Sequence, residues 1–319
     1  MSILVTGGAG FIGSHLIERL LNEITDPIVC LDNYNDYYDI ARKHANVEAF
    51  HDSARVTLVT GDFCDAAVLD RLFEEHGIRQ VVHLGAYAGV RSSIQNPLVY
   101  LHTNVCGTAS LLEAARKHPV DRFVFASSST VYGNGAKAPF VEDAPLGVPL
   151  SPYGASKRAA ELLCETYYQL HNVPTVSLRF FSVYGPRLRP DLALSIFTGK
   201  ILSGEEFPLY GDGTIRRDFT QVSDVCGGIL AALSVEGVVG EAINLGHDEP
   251  IEVRQVISVL EAAIGKEARI DHQPESAGDM PVTHADLTKA KRLLDYQPSV
   301  PFDEGVADYV RWFRDQLCQ

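Results

Sequence analysis

The run SILVTGGAGFIGSHLIERL, Ser2 to Leu20, holds a short apolar segment, a glycine-rich turn and a helical pattern in immediate succession. Ile3 to Thr6 reads as a buried strand, and Phe11, Ile12, Leu16, Ile17 and Leu20 recur at helical spacing. Gly7, Gly10 and Gly13 mark the junction of the two. A turn this tight needs residues without a Cβ, so that backbone N–H groups and the positive helix end approach a pyrophosphate while the helix packs close to the strand. The spacing G-x-x-G-x-x-G is one residue longer than the G-x-G-x-x-G dinucleotide fingerprint. Its position between a strand and a helix sets it apart from a mere glycine-rich turn.

The same alternation continues outward. Ile28 to Leu31, Val56 to Thr60, Gln80 to His83, Arg122 to Ala126 and Thr175 to Arg179 are brief, rich in Val, Ile, Leu and Phe, and bounded by turn residues. Helix-length segments separate them. This pattern predicts an α/β fold: a doubly wound parallel (Rossmann) sheet, with a ligand crevice at the carboxyl ends of its strands. Pro and Gly become frequent from Tyr184 to Gly213. We therefore divide the chain into residues 1–181, the cofactor domain, and residues 182–319, a smaller mixed α/β substrate domain, with part of 217–246 packing back on the first.

Composition narrows the partners. The chain has 319 residues, and 27 Lys plus Arg against 41 Asp plus Glu give a formal charge of −14. Such a surface repels a phosphate backbone, so nucleic acid is excluded as the expected partner. No apolar run is long enough to span a bilayer, and the N-terminus opens on a strand instead of a basic segment and an h-region, which predicts a cytoplasmic protein. The six cysteines form no Cys-x-x-Cys and the eleven histidines no HExxH. The expectation is no metal, and thiols that are buried and reduced.

About twenty residues beyond the glycine turn, the second strand ends in Leu31-Asp32-Asn33. A carboxylate there accepts both ribose hydroxyls of an adenosine and repels a 2′-phosphate, and no Arg or Lys follows until Arg42, so NAD is expected over NADP. Asp62, after the third strand, has two readings: an acceptor for the adenine amino group, or an Asp capping the helix that begins near Asp65. Tyr153 and Lys157 open a helix running to about His171 and share one face at i and i+4. A phenol moved from pKa 10 to about 7 needs roughly 4 kcal/mol of preference for its anion. A lysine within about 5 Å and the positive nicotinamide of an oxidised cofactor are the charges that supply it. After the strand Arg122 to Ala126 comes the hydroxyl cluster Ser127-Ser128-Ser129-Thr130, where a doubly wound sheet holds its ligands.

In this order and at these distances, the glycine turn, the serine cluster and the Tyr153/Lys157 pair resemble the extended short-chain dehydrogenase/reductase family, and the resemblance covers essentially the whole chain. The nearest pattern is that of the nucleotide-sugar 4-epimerases. The resemblance implies that Ser128 is the catalytic Ser/Thr, Tyr153 the base and Lys157 its partner. It adds Asn33, Asp62, Phe63, Leu84, Ala86, Asn104 in NVCGT and Phe181 in LRFFS to the cofactor site, Phe181 by packing on the nicotinamide. It also implies a substrate site with Arg91, Ser128, Ser129, Ser182, Arg189, Asp279 and, at the diphosphate, Arg217 in RRDFT. In such an enzyme Tyr153 takes the C4 hydroxyl proton as hydride passes to NAD, the 4-keto sugar turns, and the hydride returns to its other face.

Departures from the pattern point to one sugar class. Galactose-type epimerases carry Asn after Arg-x-Phe; this chain has Ser182, and the UDP-glucuronate 4-epimerases resemble it more closely with Thr there. A small hydroxyl beside Ser128 and Ser129 suits a carboxylate, held by charge-assisted hydrogen bonds. Val183 to Ala193 and Leu31 to Asp39 resemble the same subfamily, with Arg189 the preferred anion contact over Arg187. Ser276 stands where galactose-type enzymes place a phosphate-binding Arg, and the uronate enzymes lack that Arg too. The 4,6-dehydratases carry an Asp-Glu pair after the Ser/Thr, and uronate decarboxylases a Glu before Val-Tyr-Gly. Ser129 and Thr130 supply no such carboxyl group, which disfavours both chemistries. The expected substrate is UDP-glucuronate, with UDP-glucose or UDP-N-acetylglucosamine as the alternative and a non-catalytic NAD sensor as the remote one.

The helical patterns Pro97 to His118 and Tyr153 to His171 place Leu98, Leu101, Val105 and Leu112 on one and Ala159, Leu162, Thr166 and Leu170 on the other. Most of these are expected in the ordinary core. The family resemblance implies a homodimer in which these helices form a four-helix bundle. Phe207, Leu209 and Tyr210 have two readings, flanking the uracil or packing.

Overall fold

The computed structural model describes residues 1–274 and 280–317. Its strands are β1 (Ser2–Thr6), β2 (Ile28–Asp32), β3 (Val56–Thr60), β4 (Ile78–His83), β5 (Arg122–Ser128), β6 (Thr175–Phe180), β7 (Ser182–Tyr184), β8 (Glu206–Tyr210), β9 (Arg216–Gln221), β10 (Ala242–Leu245), β11 (Pro250–Glu252) and β12 (Arg269–Gln273). Seven of them form one sheet in the order β10-β6-β5-β4-β1-β2-β3, and every pairing is parallel. All positions of β1 and β2 are buried because both faces are covered. Ile3, Val5, Ile28 and Cys30 pack with Leu16, Ile17 and Leu20 of the Phe11–Glu23 helix. Leu4, Val29 and Leu31 pack on the opposite side with Leu69, Leu72 and Phe73. Each such buried side chain contributes about 1.5–3 kcal/mol.

The chain runs outward from β1 to β3 and then returns to the other side of β1 with β4. The connections diverge at that point, so a crevice opens at the carboxyl ends of β1 and β4. β3 departs from its expected burial: as the edge strand it has one open flank, and Leu58 is 38% exposed.

A smaller lobe follows, with a mixed sheet β11-β9-β7 and a parallel pair β12-β8. One buried cluster runs from Val5 to Tyr309, so both lobes share a core. The Val222–Ser234 helix lies against the Phe11–Glu23 helix, and β10 is the outermost strand of the main sheet, so the chain crosses back after its first exit. Phe207 and Leu209 are core residues, Phe207 stacked on Phe197 at 4.7 Å, while Tyr210 is partly exposed.

Three expectations need correction. The pattern Pro97 to His118 is not one regular helix: a wide π-turn, Leu101–Cys106, separates Pro97–Tyr100 from Gly107–Lys117. Nor are its apolar residues mostly core. Leu112 is buried, but Leu98 is 77% exposed and Leu170, on the neighbouring Pro152–His171 helix, 70%. The thiols also differ: Cys30, Cys164 and Cys226 are buried, whereas Cys64 is half-buried and Cys106, on the outer side of the π-turn, is exposed. Among the described residues no helix is long and apolar enough to cross a membrane.

Candidate active site

A cleft of about 1040 Å³ opens at the junction of β1 and β4. Gly7, Gly10, Phe11, Ile12 and Gly13 form one end of its wall. Gly7 has φ +68°, and a Cβ on Gly13 would stand 2.2 Å from the Gly7 carbonyl oxygen, so no side chain fits that approach. No side chain caps the helix starting at Phe11 and no acidic residue lies in its first turn, so its N–H groups remain available to an anion. This cradle fits the diphosphate of a dinucleotide.

Asp32, at the end of β2, is 8% exposed and borders the same cleft, with Asn33 beside it. Its Oδ1 accepts from the Tyr34 N–H at 2.9 Å and lies 3.5 Å from Lys43 Nζ, which also donates to Asn35 Oδ1 at 3.1 Å. Sequence reasoning missed Lys43. The residue faces inward from the short Ile40–Val47 helix together with Asn46 and Val47. That buried stripe at i, i+3 and i+4 contains the signal, but a lysine on an amphipathic helix ordinarily reads as solvated. An acceptor beside a donor suits a ribose diol, each hydroxyl of which both donates and accepts.

Phe63, Leu84 and Ala86 also line the cleft. Asp62, Asn104 and Phe181 are not among its wall residues. Asp62 accepts from the Cys64 N–H at 2.8 Å and from Asn33 Nδ2 at 3.4 Å, and Asp65 caps the following helix. Asn104 is turned into the protein, bonding both backbone groups of Tyr87 and the Ser156 hydroxyl, each at 2.9 Å. Phe181 packs on Phe140, and the wall position belongs to its neighbour Phe180, because successive residues leave an extended chain on opposite sides.

At the other end stand Tyr153 and Lys157. Ser128 Oγ accepts from the Thr130 N–H at 3.3 Å and the Thr130 hydroxyl at 3.0 Å, leaving its own proton to turn toward an acceptor in the cleft. Lys157 Nζ donates to the Ala126 carbonyl at 2.8 Å. Burial pushes its pKa down to about 8, so it stays charged at neutral pH. Burial raises the Tyr153 pKa, while Ser128 and the nearby Arg189 guanidinium oppose the rise. The expected acidification needs a further positive charge in the cleft.

Arg189 borders the cleft, paired side-on with Asp191 (Nε–Oδ1 3.0 Å, Nη2–Oδ2 2.8 Å) and bonded to the Ala88 carbonyl at 3.2 Å. Ser129, just past β5, and Ser182, which opens β7, are half-buried. Arg91 is exposed and lies 5.4 Å from the Tyr210 ring centroid, bridging the two lobes. Arg217 donates to the Met280 carbonyl at 2.8 Å. Asp279 and Ser276 lie outside the described residues.

A glycine cradle with a buried carboxylate at one end, and a tyrosine and a serine hydroxyl with a buried ammonium at the other, define an enzyme that exchanges an alcohol with its ketone. A family model described as GDP-mannose 4,6 dehydratase matches residues 4–309, and the chain belongs to this family of NAD-dependent nucleotide-sugar epimerases and dehydratases, within the extended short-chain dehydrogenase/reductases. The chain is 39% identical over 315 residues to a UDP-glucuronate 4-epimerase of Thermodesulfobacterium geofontis, covering 98% of this chain and 96% of that one. It superposes with a TM-score of 0.93 on the UDP-glucuronic acid 4-epimerase of Bacillus cereus in complex with UDP-glucuronic acid and NAD, at 36% identity over 99% of this chain and 100% of that one. The Thermotoga maritima UDP-glucose 4-epimerase, solved with UDP-glucose, gives a TM-score of 0.89 at 32% identity, covering 99% and 100%.

Proposed function

We propose that the protein inverts C4 of UDP-glucuronate, giving UDP-galacturonate through a transient 4-keto sugar. The observation that carries this reading is Tyr153 and buried Lys157 together on one wall of the cleft, with Ser128 and Arg189 both favouring the phenolate. NAD, when bound, supplies a reversible hydride acceptor and a positive ring. Gly7, Gly10 and Gly13 would hold its diphosphate, and Asp32 with Lys43 its adenosine ribose. Tyr153 removes the C4 hydroxyl proton and returns it after the sugar has turned. Ser128 orients that hydroxyl, and Arg189 binds the sugar carboxylate by charge-assisted hydrogen bonds.

A neutral UDP-hexose is the second reading. The bidentate Arg189–Asp191 pair favours it, since that guanidinium already has a carboxylate partner. Incubation with UDP-glucuronate, UDP-glucose and UDP-N-acetylglucosamine separately, with C4 configuration read by NMR and no NAD added, tests both. Turnover of the uronate supports the first, and turnover of the neutral sugars alone removes it.

We also propose a homodimer through the helices carrying Leu98, Leu101, Leu162 and Leu170. These four are 77%, 43%, 47% and 70% exposed and form an apolar face suited to a second copy. Sedimentation should give twice the chain mass for the wild type and a monomer for Leu98→Glu/Leu170→Glu. A monomeric wild type contradicts the assembly.

A further inference from the structure

Behind the wall that carries Tyr153 and Lys157 lies a charged group that the proposed chemistry does not use. Glu161, one helical turn beyond Lys157, is only 5% exposed, and burying a carboxylate is costly unless it is paired. Its Oε1 accepts from Ser127 Oγ at 2.5 Å and Arg179 Nε at 2.9 Å. Its Oε2 accepts from Arg179 Nη2 at 3.1 Å and Arg158 Nη1 at 3.2 Å. Arg179 comes from β6, is equally buried, and lies 4.8 Å from the Tyr132 ring centroid.

A buried ion pair is no better for stability than a well-packed apolar pair of similar volume. An apolar pair, however, cannot hold a hydroxyl. Ser127 is the middle residue of three at the end of β5. The Ala126 carbonyl seats Lys157 Nζ at 2.8 Å, Ser127 borders the cleft, and the Ser128 side chain favours the Tyr153 phenolate. Tying Ser127 to the Pro152–His171 helix therefore fixes the strand end against the helix that carries both Tyr153 and Lys157.

We propose that Glu161, braced by Arg179, is a positioning residue of the active site, holding the Ala126–Ser128 strand end in register with Tyr153 and Lys157. This rests on the Tyr153/Lys157 chemistry proposed above, not on which sugar is turned over. Glu161 has a second effect on the same site. Its negative charge opposes the desolvation of Lys157 and favours the ammonium.

The full chain carrying Glu161→Gln, or Glu161→Leu with Arg179→Met, tests the proposal against the wild type from about pH 6 to about pH 9. Both variants should lose roughly tenfold or more in kcat, as misplacement of reacting groups does, with KM within about threefold. The alkaline limb of the rate profile should move to lower pH. The double variant restores a neutral, packable core, so it should regain stability without regaining kcat. Wild-type kcat and pH profile in the double variant would overturn the proposal. NMR titration of the Lys157 side chain in the same samples needs no turnover: a lower pKa in Glu161→Gln supports the proposal and an unchanged one overturns it. A wild type inert toward every sugar would count against the function alone.

Discussion

Arg189 stands beside Tyr153 with a carboxylate already on its guanidinium. If it receives the sugar carboxylate, Arg189→Met should lower kcat/KM for UDP-glucuronate about 10–100-fold more than for UDP-glucose, the worth of a charged hydrogen bond. Equal losses on both sugars, measured side by side, would assign Arg189 to the phenol's electrostatics only. Residues next to a motif were readable from sequence: the glycine turn, Asp32 and the Tyr153/Lys157 pair all line the cleft. Residues delivered by tertiary folding were not. Lys43 arrives on a short helix that folds over Asp32. Phe180 and Phe181 were confused because the end of a strand is a one-residue decision between two faces.

At the level of elements, the parallel strands were legible because each is a short apolar run between turn residues. The exposed flank of β3 was not, since edge position depends on strand order. The π-turn was equally invisible, although it explains Asn104. Its extra backbone residue turns that side chain inward to join the β4 loop at Tyr87 to the Pro152–His171 helix at Ser156. Asn104→Ala leaves those buried groups unpaired and should cost about 2–4 kcal/mol, read as a lower denaturant midpoint. A loss within about 0.5 kcal/mol, the range of an ordinary surface substitution, would show that the clamp is not holding these elements together.

Across the whole molecule, one hydrogen-bond chain joins the glycine turn to the core. The Gly85 N–H donates to Thr6 Oγ1, which bonds His83 Nδ1 at 2.7 Å, and His83 Nε2 meets Thr108 Oγ1 at 3.0 Å. Thr108 Oγ1 in turn donates to the Asn104 carbonyl at 2.6 Å, which fixes His83 as the Nε2–H tautomer. Burial lowers the His83 pKa from 6.5 to about 3. The unfolded chain then takes up this proton below about pH 6.5 while the folded chain does not. Stability is therefore full above that pH and falls by roughly 4–5 kcal/mol as pH drops toward 3. His83→Gln should flatten this dependence by one titrating group in urea midpoints recorded across that range. Identical slopes for the two proteins would place the acid sensitivity elsewhere. The turnover claim is tested most directly by following UDP-glucuronate by NMR with wild type and Tyr153→Phe, no NAD added. Wild type should form UDP-galacturonate while Tyr153→Phe is slowed by about 10²–10⁴-fold, the usual share of a general base; interconversion undiminished in Tyr153→Phe would contradict it.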